Sequence, residues 1–288
     1  MFRNPLIAFS LLCLSSFVQA DVTVVSSVRP LQFIAAAIVG DRGTASALIG
    51  TSDSPHSFAL TPQDRLAIAQ SDVLLWIAPE FEIYLSDLFV DQAEEKSVIT
   101  VRDLPAVTAL TFEDGIFDPH VWLDPDNGIL IATALTETLS AQIPQQAGEF
   151  RVALARFTEA VDDTREQIQR DLQRSEPASY MVYHEAYQYF ETEFGLVAGG
   201  ALVHNPELEP GMREVIALRQ QVEEVSPKCI ILEPDASLAL VDTLVQDPDI
   251  ARISIDLLGY DIEVSSNAYE ELLIRVADGF QSCFNAGN

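Results

Sequence analysis

Residues 117–125 read FDPHVWLDP and place one histidine, His120, between two Asp-Pro pairs. Each proline fixes its own φ and keeps the preceding residue out of the helical region, so the stretch predicts a stiff loop that opens a helix. Such a loop suits metal coordination, because it holds an imidazole ring in one direction; the alternative is a capped helix start with a surface histidine. Two of the chain's four histidines lie in similar settings, His56 in SPHSFALTP and His184 in MVYHEAYQYF. Three histidines in similar motifs favour the interpretation that they bind a metal together.

The N-terminal segment has the pattern of a secretory signal. Arg3 supplies the positive charge, residues 6–17 the apolar run, and Val-Gln-Ala at 18–20 a small-residue cleavage site. The apolar run is too short to span a bilayer. Leu12, before Cys13, argues against a lipoprotein signal, which has a small residue at that position. We therefore predict that 1–20 is a signal peptide and that the mature protein is periplasmic.

The net charge and the cysteine content restrict the partners and the compartment of the protein. The chain of 288 residues has a formal net charge of −28, which repels nucleic acid and anionic lipid. The acidic residues are spread along the chain, so solubility or adaptation to salty surroundings accounts for them better than attraction of cations. Beyond the signal, Cys229 and Cys283 form an even pair, which in an oxidising compartment suggests a disulfide. Closing that loop would stabilise the fold by about 4 kcal/mol.

Strand and helix patterns alternate on both sides of one long, charge-rich segment. Near-continuous apolar strands, such as DVLLWI at 72–77 and CIIL at 229–232, predict parallel sheets covered by helices on both faces. A further strand is expected over 196–201. The predicted fold is α/β, with two Rossmann-like lobes, each with a central parallel sheet, joined by one long rigid α-helix. The predicted divisions are an N-terminal lobe over 21–143, a connecting helix over 144–175 and a C-terminal lobe over 176–288.

Four side chains are candidates for one metal site between the lobes. Ligands of doubly wound sheets bind at the carboxyl ends of strands, where His56, His120 and His184 are expected, together with Asp256 in ISIDLLG. Two precede the connecting helix and two follow it, so facing lobes would bring all four together. Three neutral imidazoles and one carboxylate form a tetrahedral set suited to Zn(II). Asp256 could instead be an N-cap or an acceptor that fixes an imidazole tautomer.

With these motifs in view, the chain resembles the periplasmic metal-binding proteins that supply zinc or manganese to ABC importers, most closely the zinc-uptake branch. The resemblance covers nearly the whole mature chain. It implies two lobes joined by a rigid helix, with His56, His120 and His184 as metal ligands and Asp256 as the carboxylate ligand. The motifs that carry it are PHSFALTP, FDPHVWLDP, MVYHEAYQYF, NPELEPG, the Glu-Pro pair at 233–234, the DLLG turn and the cysteine pair.

The same resemblance implies the function and the partners. It implies Zn(II) as the transported ligand, an ABC permease with its ATPase as the receiving partner, and a monomer that is not an enzyme. A metallochaperone that loads the site is a further partner that it allows. His204 is not marked as a ligand by the family motif.

Two departures from the zinc branch bear on the metal. Zinc members often carry a histidine-rich insertion between the first two ligands, but residues 57–119 contain no histidine. Pro55 stands where some members have an acidic ligand, which leaves Asp256 or a water for the fourth position. Manganese members tend to have a carboxylate where this chain has His184, and imidazole favours zinc over manganese. The alternatives are a manganese- or iron-binding protein of this family, a zinc hydrolase with Glu185 as its base, or an adhesin-like surface protein.

Overall fold

Short runs of buried aliphatic residues form the strands of two parallel sheets. The computed structural model describes residues 22–50, 56, 58–176, 178–203 and 210–286. Within these residues each sheet has four strands, and both sheets are parallel throughout. The strand VLLW is buried at every position, as expected for a sheet covered on both faces. The N-terminal sheet, in the order β2-β1-β3-β4, contains β1 (Val22–Ser26), β2 (Gly43–Ala47), β3 (Val73–Trp76) and β4 (Ser97–Thr100).

The helices of the N-terminal lobe begin where the sequence supplies caps and prolines. The Thr61 side chain accepts the N–H of Asp64, whose carboxylate accepts the N–H of Thr61 in return, which forms a capping box. Asp124 likewise accepts two N–H groups of the first helical turn that follows FDPHVWLDP. In the described part of this lobe the helices are α1 (Arg29–Val39), α2 (Pro62–Gln70), α3 (Ile83–Gln92) and α4 (Pro125–Gln142).

One long helix, α5 (Ala147–Gln173), connects the two sheets. Its 27 residues extend for about 40 Å. Phe150, Phe157, Val161 and Ile168 recur at helical spacing on its buried face. The predicted long connecting helix is therefore confirmed. No helix in the described residues is both long and apolar enough to cross a bilayer.

The C-terminal lobe repeats the strand order of the N-terminal lobe, as β6-β5-β7-β8. The strand expected over 196–201 is wrong: the observed strand begins at Ala201, because Gly200 has a φ of +133°, outside the β region. Cys229 and Cys283 are paired as a disulfide, with Cα atoms 5.5 Å apart, which links a central strand to the last helix. The elements are β5 (Tyr180–His184), α6 (Gln188–Phe194), β6 (Ala201–Val203), α7 (Met212–Val225), β7 (Cys229–Leu232), α8 (Leu238–Leu244), β8 (Ala251–Ser254) and α9 (Ala268–Asn285).

The two lobes are held together by packing as well as by α5. One hydrophobic cluster of buried residues runs from β1 through α1, α4 and α5 to α9. The Arg29 guanidinium of the N-terminal lobe donates hydrogen bonds to the carbonyls of Gly259 and Ile262 in the interlobe turn (residues 257–262). Gly259 has a φ of +67°, and a Cβ there would lie 2.8 Å from the ring of Phe33. Wide separation of the lobes would therefore break these bonds and expose apolar surface.

Candidate metal centre

Three histidines from both lobes converge in one pocket. His56 lies between β2 and α2, His120 directly precedes a 3-10 turn that leads into α4, and His184 is the last residue of β5. One ring nitrogen of each lies within 4.8 Å of the others, and the ring centroids are 5.3 to 6.1 Å apart. We call this group the three-histidine cluster. It has the residue types and the proximity that a metal ion requires.

The His120 ring is held by a carboxylate two residues earlier. Nδ1 of His120 lies 2.7 Å from Oδ1 of Asp118, and the same oxygen accepts the backbone N–H of His120 at 3.0 Å. Asp118 is fully buried, and its backbone carbonyl accepts the hydroxyl of Tyr189 at 2.9 Å. A carboxylate that faces Nδ1 favours the tautomer with the proton on that nitrogen. The lone pair of Nε2 is then left for a metal.

The His184 ring has a carboxylate neighbour from the adjacent strand. Nδ1 of His184 lies 3.0 Å from Oε2 of Glu233, the residue that follows β7. Burial alone would lower the pKa of His184, but Glu233, with smaller contributions from Asp235 and Asp118, raises that pKa overall. Nε2 of His184 is buried and has no hydrogen-bond partner within the described residues. A buried nitrogen left without a partner is costly, and a metal ion would satisfy it.

His56 completes the cluster from the N-terminal lobe. Its ring packs edge-on against Phe81, with the centroids 5.3 Å apart. Burial, and then the neighbouring rings of His120 and His184, lower the pKa of His56 to about 3. The His56 imidazole is therefore neutral at neutral pH. A neutral imidazole is the form that binds metals.

Asp256 lines the same pocket but is not a member of the three-histidine cluster. Its Oδ1 accepts the N–H groups of Leu258 and Gly259, both at 2.9 Å, and its Oδ2 accepts that of Tyr260 at 2.5 Å. The carboxylate thus anchors the start of the interlobe turn. Oδ2, which accepts only one of these bonds, keeps a second lone pair, so direct coordination stays a prediction. Pro55 and His204 lie outside the described residues.

The pocket is small and closed on one side by the interlobe turn. Its volume is about 40 Å³, enough for an ion with one or two waters and far below what organic ligands need. Trp122 and Leu257 contribute apolar walls, and the indole N–H of Trp122 donates to the carbonyl of Leu257 at 3.1 Å. Pro234 and Asp235 line it from the C-terminal lobe. Low polarity around the site strengthens electrostatic interactions with a bound cation.

Sequence reasoning missed the two carboxylates that face the imidazoles. It offered Asp256 only as an alternative acceptor for an imidazole, whereas the structure places Asp118 beside His120 and Glu233 beside His184. A signal for Asp118 was present, because an Asp two residues before a ligand can turn back onto it. Glu233 becomes visible only once β5 and β7 are known to be adjacent.

This geometry defines a class: a two-lobed α/β protein with a candidate ligand site between the lobes. A family model described as ZnuA, zinc-uptake complex component A, periplasmic, matches residues 24–283. The chain belongs to this family, whose members are the binding component of a transport system and not enzymes.

Individual relatives agree with this assignment. The chain is 28% identical to the high-affinity zinc uptake system protein ZnuA of Yersinia pestis, over 98% of this chain and 97% of that protein. Its fold is similar to the periplasmic zinc-binding protein TroA of Treponema pallidum, with a TM-score of 0.78 and 18% identity over 92% of this chain and 99% of the other. It is also similar to a ZnuA deletion mutant with zinc bound, with a TM-score of 0.79 and 20% identity over 92% and 98%. At these identities the structural likenesses establish the fold alone.

Proposed function

We propose that this chain captures Zn(II) in the periplasm, with His56, His120 and His184 as ligands, and delivers it to an ABC-type membrane importer. Asp256, or a water beside it, fills the fourth position. The observation that carries the proposal is the convergence of three ring nitrogens from both lobes within 4.8 Å of one another. Periplasmic location follows if 1–20 is removed as a signal peptide, which agrees with the periplasmic description of the family.

The chemistry of the pocket supports zinc as the metal. Three imidazole nitrogens are softer donors than the carboxylates that manganese prefers. The carboxylates of Asp118 and Glu233 face Nδ1 of two rings, which favours the tautomer that leaves Nε2 available for the metal. Their two negative charges also balance a divalent cation in a buried site. An uncompensated buried charge would be strongly unfavourable.

The receiving partners in this proposal are an ABC permease and its ATPase, and the chain acts as a monomer. A periplasmic metallochaperone is a further candidate partner. Nucleic acid is not a partner, given the formal net charge of −28. Release of zinc requires local movement around the pocket, because the shared core and the bonds of Arg29 oppose wide opening of the lobes.

The test is a zinc titration of purified protein against a chromophoric zinc chelator. The wild type should bind one Zn(II) per chain, and His120→Ala and His184→Ala should each lose affinity by at least about 100-fold, because each removes a ligand. His204→Ala is the matched control and should bind as the wild type does. Wild-type affinity in His184→Ala would contradict the proposal.

The identity of the metal needs a separate measurement. Protein purified from the periplasm without added metal should carry zinc in a one-to-one ratio by native mass spectrometry and elemental analysis. Competition with Mn(II) should leave zinc bound, because manganese gains less from imidazole ligands. Manganese or iron at equal occupancy would favour the alternative within the same family.

A further inference from the structure

A short antiparallel hairpin, residues 110–118, leads into the loop that carries His120, and we call it the ligand hairpin. Its tip at 113–116 is exposed, whereas Asp118 at its base is buried. Three cross-strand contacts share one register: the bridge between Thr111 and Phe117, the bond from the N–H of Phe112 to the carbonyl of Ile116, and the bond from the N–H of Asp118 to the carbonyl of Leu110. A hairpin of this length is marginally stable by itself, so contacts outside it hold its base in place.

The pair of residues at the base of the ligand hairpin departs from the usual pattern. Residues in a hydrogen-bonded antiparallel pair exchange two N–H···O bonds. Here only one of them is direct, from the N–H of Asp118 to the carbonyl of Leu110 at 3.0 Å. The second passes through a side chain, because the hydroxyl of Tyr189 accepts the N–H of Leu110 at 2.9 Å and donates to the carbonyl of Asp118, also at 2.9 Å. The tyrosine oxygen therefore lies between the two arms.

Tyr189 belongs to the other lobe. It lies in α6, five residues after His184, and is only 1% exposed. One segment of the C-terminal lobe thus supplies His184 and also contacts the hairpin that precedes His120. The position of one imidazole relative to the other therefore depends on where this hydroxyl lies.

The backbone at Asp118 decides where the Asp118 carboxylate lies. Its Oδ1 is 2.7 Å from Nδ1 of His120 and accepts the N–H of His120 at 3.0 Å. Without the Tyr189 hydroxyl, the N–H of Leu110 and the carbonyl of Asp118 could form the missing direct bond. The arms of the hairpin would then close, and the carboxylate would shift relative to the ring of His120. A displacement of about 1 Å is enough to break a short hydrogen bond.

We propose that Tyr189 is a positioning residue for zinc binding: its hydroxyl holds the arms of the ligand hairpin apart, so that the Asp118 carboxylate faces Nδ1 of His120. The proposal rests on the proposed function, because it takes His120 as a zinc ligand. It adds a residue outside the lining of the pocket, through which the C-terminal lobe orients a ligand of the N-terminal lobe.

The experiment compares two buried tyrosines of the same lobe. Tyr189→Phe removes the hydroxyl and keeps the ring, which packs in the shared core, and the two backbone groups can then pair with each other, so the variant should fold. Circular dichroism checks this. Tyr180→Phe is the matched control, because the Tyr180 hydroxyl donates to Oε1 of Glu191 at 2.7 Å, and Tyr180 lies at the opposite end of β5 from His184. Zinc affinity is measured by competition with a chromophoric chelator.

Tyr189→Phe should lose zinc affinity by about tenfold, the lower end of the range for loss of a group that orients a metal ligand. Tyr180→Phe should bind zinc as the wild type does. Wild-type affinity in Tyr189→Phe, or an equal loss in Tyr180→Phe, would overturn the proposal.

A double-mutant cycle separates positioning from a general weakening of the contact between the lobes. Asp118→Asn removes the charge that faces His120 and should lower zinc affinity by about 10- to 100-fold. If Tyr189 acts through this carboxylate, adding Tyr189→Phe to Asp118→Asn should lower affinity by less than about twofold more. A further loss of about tenfold, as expected for independent effects, would refute the positioning role.

The same titrations distinguish failure of this proposal from failure of the proposed function. If the wild type binds no zinc, the proposed function itself is wrong. If the wild type binds one zinc ion and Tyr189→Phe binds it equally tightly, only the role of Tyr189 is refuted.

Discussion

Glu233→Gln offers a sharp test of how the pocket tunes its ligands. Glu233 is buried, and its Oε2 lies 3.0 Å from Nδ1 of His184. Loss of a carboxylate that orients a metal-binding imidazole lowers metal affinity by about 10- to 100-fold, equivalent to about 1.4 to 2.8 kcal/mol. Glutamine keeps the size and an acceptor oxygen but removes the charge. We therefore expect a loss in this range at about pH 8, where protons compete least.

The pH dependence of that loss follows from the raised pKa of His184. In the wild type, zinc affinity should begin to fall as the pH drops through this raised pKa, by up to about tenfold per pH unit, because zinc must displace a proton. Burial lowers the pKa of His184 and the Glu233 carboxylate raises it, so removal of that charge lowers this pKa. Protons then compete with zinc for His184 only at a lower pH. The difference between variant and wild type should therefore shrink toward about pH 6.

Competitive titration against a chelator at several pH values measures both effects. Asp235→Asn is the matched control, because it removes a neighbouring charge that is exposed to solvent, and it should change affinity by less than about threefold. Wild-type affinity in Glu233→Gln at the higher pH, or a loss that does not vary with pH, would refute this account of His184.

Three further substitutions test the framework. Asp256→Asn should lower the free energy of unfolding by about 2 kcal/mol in chemical denaturation, because three backbone N–H groups lose a charged acceptor. Gly259→Ala should cost about 2 kcal/mol or more by the same assay, since it forces a left-handed φ and a contact with Phe33, whereas Gly148→Ala, with open space around it, should be neutral or stabilising. Burial raises the pKa of Glu82 to about 7, so ionisation of this side chain above pH 4.5 opposes folding. The stability of Glu82→Gln relative to the wild type should therefore increase by up to about 3 kcal/mol as the pH rises from 4.5 to about 7. A difference in melting temperature between variant and wild type that is the same at both pH values would contradict this.

Much of the fold follows from local pattern. Buried runs such as VLLW predict central parallel strands, and the alternation around one amphipathic segment predicts two lobes joined by α5, both of which are confirmed. The strand expected over 196–201 is wrong. That prediction relied on the apolar composition of the segment and gave too little weight to the two glycines at 199–200, which precede the observed strand. The residue boundaries of the lobes stay a prediction, since the hydrophobic core runs through both.

Part of the candidate site could likewise be predicted from the sequence, and part could not. Loops at the carboxyl ends of strands predict where His56, His120 and His184 should meet, and the structure brings their rings together, while their role as ligands stays a prediction. Glu233 could not be assigned from spacing, because its place beside His184 depends on the pairing of β5 with β7. The hydrogen bonds from backbone N–H groups to the Asp256 carboxylate could not be predicted either, because they depend on the path of the backbone and not on residue types.

The central claim is that one Zn(II) ion is bound by three imidazoles drawn from both lobes. X-ray absorption spectroscopy of the one-to-one zinc complex tests it most directly. We expect three imidazole nitrogens at about 2.0 to 2.1 Å and one oxygen donor from Asp256 or water. Fewer than three imidazoles, or a sulfur donor at about 2.3 Å, would contradict the account.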